Sequence, residues 1–68
     1  MIIVAHRINN LFLLKKIPVK FGVEIDLRCY KKKIILNHEP FKDGVELKNF
    51  LKLYKHKMLI ANIKEAGI

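Results

Sequence analysis

The chain has 68 residues, 14 of them Lys or Arg and 6 Asp or Glu, for a formal net charge of +8. That length holds one domain at most, with a core barely able to outweigh chain entropy, and its single cysteine, Cys29, excludes an internal disulfide and a cysteine-rich zinc site and points to a reducing, cytoplasmic compartment. The apolar runs at 11–14 and 58–61 are far too short to span a bilayer, and Arg7 interrupts the first segment before it can serve as a secretory signal. The positive charge suits nucleic acid, an anionic membrane surface or a phosphorylated small molecule, and sign alone does not choose among them. The lysines fall at 15–16, at 31–33 and at 48, 52, 55 and 57, each group on a predicted turn or helix face where solvated surface explains it.

Residues 1–5 are a compact apolar run rich in β-branched side chains that ends in His6-Arg7, which predicts a buried strand with polar groups at its C-terminal end. From 9 to 17 the spacing turns helical: Asn9 or Asn10 can cap, Leu11, Leu14 and Ile17 share a face, and Pro18 stops the run. Gly22 turns the chain into a second strand over 22–28, whose alternation sets Glu24, Asp26 and Arg28 on one face and Val23, Ile25 and Leu27 on the other. Neighbouring carboxylates repel, so a positive partner is expected beside them, either a divalent cation or the chain's own basic residues.

Residues 30–33 read as a polar bend, and 34–36 as a short arm that returns alongside the second strand and ends in Asn37-His38-Glu39-Pro40. Asp43-Gly44 closes that loop. The segment 45–55 is the clearest helix, with Leu47, Phe50, Leu51 and Tyr54 on a core-facing stripe, Lys48, Lys52 and Lys55 on the wet face, and His56 at its end as a structural group. A third buried strand begins at 58–61 and ends in Asn62 and Lys64, after which Gly67 offers a turn.

This order implies an α/β fold of parallel strands with right-handed crossovers and a short hairpin arm after strand two. Such folds gather ligands at the C-terminal ends of their strands, where His6, Arg7, Glu24, Asp26, His38, Asn62 and Lys64 fall. The set suits phosphoryl chemistry. Two carboxylates can hold a divalent cation, Arg7 and Lys64 can neutralise the remaining phosphate charge, and two histidines can serve as acid and base near neutral pH.

The series His6-Arg7, then Gly22-Val23-Glu24-Ile25-Asp26-Leu27-Arg28, then Ile34-Ile35-Leu36-Asn37-His38-Glu39-Pro40 resembles the N-terminal motifs of the glycerophosphodiester phosphodiesterases, in the phosphatidylinositol-phospholipase-C-like group of TIM barrels. The resemblance runs from strand one to strand three. It implies the first two to three βα units of a (β/α)8 barrel and metal-dependent cleavage of a small phosphodiester substrate to an alcohol and glycerol phosphate. His6 and His38 would then be general acid and base, Arg7 a phosphate contact, and Glu24 and Asp26 ligands of Mg2+ or Ca2+. The departures are Ile8 where the family has Gly, a missing Glu-Asn-Thr segment, His38-Glu39 for His-Asp, and Asn62-Ile63-Lys64 for Glu-x-Lys. Asn62 keeps an oxygen donor but loses a charge, which weakens the metal site.

A closed barrel needs about 200 to 250 residues, so the chain is expected to be a single incomplete domain, inactive alone, whose open sides meet the remainder of a barrel or another copy through exposed strand edges. Two alternatives stay open. One is a small basic nucleic-acid-binding module using Lys31, Lys32, Lys33 and the lysines of the second helix, against which stand mid-strand acids that repel phosphates and the lack of an RNA-binding aromatic motif. The other is a structural or interaction module whose polar strand ends share no site. Only the enzyme reading requires His6, Glu24, Asp26 and His38 to face one spot.

Overall fold

Residues 2–65 are described by the computed structural model, and the fold is α/β, with a mixed four-stranded sheet and two short helices. Strand β2 (Gly22–Tyr30) is bonded to each of the other three strands. Strand β1 (Val4–Ala5) runs parallel to its start, Val4 opposite Gly22. Strand β3 (Lys33–Leu36) runs antiparallel to its end, Leu36 opposite Leu27. Strand β4 (Met58–Ile63) runs parallel along Gly22 to Leu27. The even residues of β2 bond toward β1 and β3, since Glu24 O accepts from Ile8 N at 2.9 Å and Asp26 O from Asn37 N at 3.1 Å. Leu27 O instead accepts from Lys64 N at 3.0 Å, on the β4 side. The arm β3 therefore continues the edge that β1 begins, as the expected hairpin and parallel neighbours require.

Helix α1 (Leu11–Lys16) starts where Asn10 Oδ1 accepts from Leu13 N at 2.8 Å, an N-cap that removes one orphan donor. Helix α2 is Leu47–Lys52. Both pack on the face of β2 that carries Val23, Ile25 and Leu27, and the core is completed by Ile8, Leu14, Leu36 and Phe50. Phe50 is fully buried, which removes from water an apolar area worth about 1.5–3 kcal/mol. Between β2 and β3 the chain reverses through Lys31 and Lys32 at φ 50° and 66°, the two left-handed residues of a two-residue hairpin turn. Gly44 is required where it stands, because a Cβ there would lie 2.1 Å from the carbonyl oxygen of Leu36.

Several expectations need correction. The first strand covers only Val4–Ala5, Ile2 and Ile3 are exposed, and Met1 lies outside the described residues. Arg7, at φ 53°, ends the regular strand, although Ile8 N and Asn9 Oδ1 still bond to β2 at Glu24 and Asp26. The second helix is six residues long, so only one turn packs and Leu51 is exposed rather than in the core. His56 therefore lies beyond the helix and not at its end; its Nε2 is 2.7 Å from the carbonyl oxygen of Ile17, which links the segment after α2 to the end of α1. β4 is not buried either: Met58, Ile60 and Ile63 are exposed, because its outer edge has no neighbouring strand among the described residues. The turn expected at Gly67 lies outside the described residues.

Candidate active site

Opposite the helices, the alternation of β2 presents Glu24 and Asp26, and the parallel register sets Asn62 of β4 directly across from Asp26. Asp26 is buried, 1% exposed, and every partner around it is a donor or a cation. Its Oδ2 accepts from Asn9 Nδ2 at 2.9 Å, and its backbone amide donates to Asn9 Oδ1 at 2.8 Å. Lys64 Nζ stands 3.6 Å from Oδ1, and His38 Nδ1 stands 3.6 Å from Oδ2. Burial pushes the Asp26 carboxyl up, but the Asn9 amide, Lys64, His38 and Asn62 together outweigh it and hold the group below the usual carboxylate range.

Glu24, one pleat nearer the start of β2, has its Oε1 3.2 Å from His6 Nδ1. That contact is the main reason its carboxyl sits below the usual range; slight burial opposes it, and Asn62, the His6 charge and the backbone N–H of Arg7 add to it. The two strand-end histidines thus each turn Nδ1 toward a carboxylate of β2. This leaves Nε2 of each ring as the nitrogen for a ligand; for His6 the hydrogen bond to Glu24 orients the ring, while His38 stands 3.6 Å from Asp26 in charge contact only.

His38 is positioned by its backbone. Its carbonyl oxygen accepts from Arg28 Nη2 at 2.9 Å and Nε at 3.3 Å. Arg28 Nη1 also lies 3.6 Å from Glu65 Oε2, so the guanidinium clamps the loop after β3 to β2 and to the end of β4. Asn37 shapes the same loop, accepting from Glu39 N at 2.9 Å and donating through Nδ2 to Asp43 O at 3.0 Å. The Nδ1 atom of His38 is buried without a hydrogen-bond partner among the described residues, although the side chain as a whole is partly exposed. Its nearest charged neighbour is the Asp26 carboxylate.

Of the residues singled out from sequence, His6, Glu24, Asp26, His38, Asn62 and Lys64 come together on this face. Arg7 joins it through its backbone, and its side chain is exposed. Ile8, in the place where the resembled family has Gly, is buried in the core. Asn9 and the clamp made by Arg28 escaped the sequence reading; Asn9 showed only a capping signal, whereas Arg28 stood visibly in line with the two acids. The face is open, with His6 72% exposed, and cavities of about 340 and 230 Å³ lie elsewhere, beside the hairpin and between α1 and the segment after α2.

The oxygen donors available to a divalent cation are Glu24, Asp26 and the Asn62 amide. Among the described residues no three His, Cys, Asp or Glu side chains gather closely enough to hold a metal ion. With both oxygens of Asp26 facing protein donors, this set does not fit a resident Mg2+ or Ca2+. Comparison with known proteins found no family model, no curated protein and no solved structure that matches the chain. Among the described residues no helix is long and apolar enough to cross a membrane.

Proposed function

We propose that the chain carries the acid–base face of a phosphodiesterase acting on glycerophosphodiester-like small molecules. The observation behind this reading is the pair of His–carboxylate contacts, His6 with Glu24 and His38 with Asp26, on one face with Lys64. One imidazole Nε2 takes the proton of the attacking hydroxyl as its oxygen bonds to phosphorus. The other, protonated, gives its proton to the departing alcohol oxygen as the second P–O bond breaks. Lys64 and Arg7 supply the positive charge that the phosphoryl oxygens need through this exchange.

The parallel order β1–β2–β4, with both helices on one side and His6 and Lys64 just beyond the C-terminal ends of β1 and β4, supports reading the fold as the opening units of a (β/α)8 barrel. The outer edge of β4, unpaired among the described residues and with Met58, Ile60 and Ile63 exposed, suits further strands of such a barrel or a second copy of the chain. An open face excludes water poorly, so the chain alone binds phosphate compounds and turns over phosphodiesters slowly or not at all.

The test is titration of glycerol 3-phosphate into the full chain, followed by two-dimensional NMR. Shifts are expected at His6, His38 and Lys64, with affinity falling about tenfold in Lys64→Gln, the loss of one charge-assisted contact. A folded chain that shows no such shifts, or that binds arbitrary RNA through Lys31, Lys32 and Lys33 while this face stays unperturbed, overturns the reading.

A further inference from the structure

Building on the phosphodiester reading, we infer that Lys64 is the built-in counter-ion of Asp26 and that this face takes no resident divalent metal. Three observations converge on it. First, Lys64 Nζ lies 3.6 Å from Asp26 Oδ1 with its side chain only 32% exposed, so a cation seated on that oxygen must displace a partly buried ammonium. Like charges at such separations repel strongly where water is scarce. Second, the other Asp26 oxygen is taken by Asn9 Nδ2 at 2.9 Å, and Glu24 Oε1 faces His6 Nδ1 at 3.2 Å, so each carboxylate already points an oxygen at a side chain of this face.

Third, the residue set across from Asp26 is a neutral amide, Asn62, where a glutamate would add a third negative charge and repel both carboxylates unless a metal neutralised the group. Basic side chains already stand at both carboxylates, Lys64 and His38 beside Asp26 and His6 beside Glu24, so a resident divalent cation would have to share or displace them.

The experiment is calorimetric titration of Ca2+ and of Mg2+ into the metal-free chain and into Asn62→Glu and Lys64→Gln, each shown to be folded by circular dichroism. Wild type is expected to show no binding tighter than about 10⁻³ M, the weak end of protein calcium sites. Asn62→Glu adds a third carboxylate and is expected to gain at least tenfold. Lys64→Gln removes the ammonium from Asp26 Oδ1 and is expected to move cation binding in the same direction. Inorganic phosphate should bind wild type equally with excess EDTA and with Ca2+. Cation binding by wild type that disappears in Glu24→Gln/Asp26→Asn, or phosphate binding that requires Ca2+, overturns the inference and spares the phosphodiester reading. Lack of phosphate binding in either buffer, with a cation site created in Asn62→Glu, overturns the phosphodiester reading and spares the inference.

Discussion

Asn9 and Asp26 exchange two hydrogen bonds, with the Asp26 amide donating to Asn9 Oδ1 at 2.8 Å and Asn9 Nδ2 donating to Asp26 Oδ2 at 2.9 Å. One side chain thus extends the backbone ladder of β2 beyond the end of β1 and also helps to ionise the buried carboxylate. Asn9→Ala leaves two buried groups of Asp26 short of partners, at a cost of about 1–3 kcal/mol. The Asp26 carboxyl should also rise toward its ordinary value. Denaturant melts measure the first effect and an NMR titration of the Asp26 carboxyl the second; an unmoved carboxyl would show that Lys64 and His38 alone set it.

Acid should unfold the chain through this face. Glu24 and Asp26 both titrate below their ordinary values when folded, so the unfolded chain binds protons more readily. Their contribution to stability is fully present above the unfolded value of about 4, and it is lost as the pH falls through the lower folded values. The denaturation midpoint should therefore be insensitive to these two groups between about pH 7 and 5 and fall below about pH 4. Asp26→Asn should lower stability near neutral pH and flatten that acid limb; an unchanged limb would locate the acid sensitivity elsewhere.

The hairpin turn is built from residues that disfavour it. Lys31 and Lys32 both sit at positive φ, a conformation that costs a side-chain-bearing residue about 1–2 kcal/mol and that Asn-Gly adopts readily. Lys31→Asn/Lys32→Gly is expected to stabilise the chain by about 1–2 kcal/mol, a rise in Tm of roughly 4–8 °C per kcal/mol at this size. No rise in a thermal melt would mean that the lysines already reach this geometry without strain.

Neighbouring residues of α2 should respond very differently to truncation. Phe50 is fully buried against β2, whereas Leu51 is 44% exposed. Phe50→Ala should cost about 3–5 kcal/mol, enough to unfold a marginal domain of this length. Leu51→Ala should stay within about 0.5 kcal/mol of wild type. Comparable losses from both would mean that the helix is longer in solution and packs a wider stripe.

Much of the face was legible because strict period-two alternation assigns sides whatever the neighbours are: Val23, Ile25 and Leu27 had to oppose Glu24 and Asp26. Chain order did the same for direction, since a strand, a helix and a strand in succession leave the two strands parallel. The length of α2 was not legible. Periodicity continues to Tyr54, but Leu53 leaves helical geometry at ψ 1°, and the aromatic stripe ends with the tyrosine hydroxyl donating to the carbonyl of Met58. The role of Asn9 was hidden for a different reason. An amide two residues before a helix looks like a cap, and only the approach of Asp26, 17 residues away, turns it into a ladder partner. Exposure of Ile2, Ile3 and Met58 was likewise invisible, because an apolar run states which residues favour burial and not whether anything covers them.

Strand β2 places its apolar packing on odd positions and its charged chemistry on even ones, along a backbone bonded to all three other strands. Such a segment can exchange one side chain for another without changing which residues face the helices. It has no comparable tolerance for a change in length. Losing or gaining a single residue midway would turn over everything downstream of the lesion, sending a carboxylate into the core and an isoleucine or leucine into the place of an acid. Packing and chemistry would fail together, so the spacing of these nine residues should be held more tightly in any lineage than their individual identities.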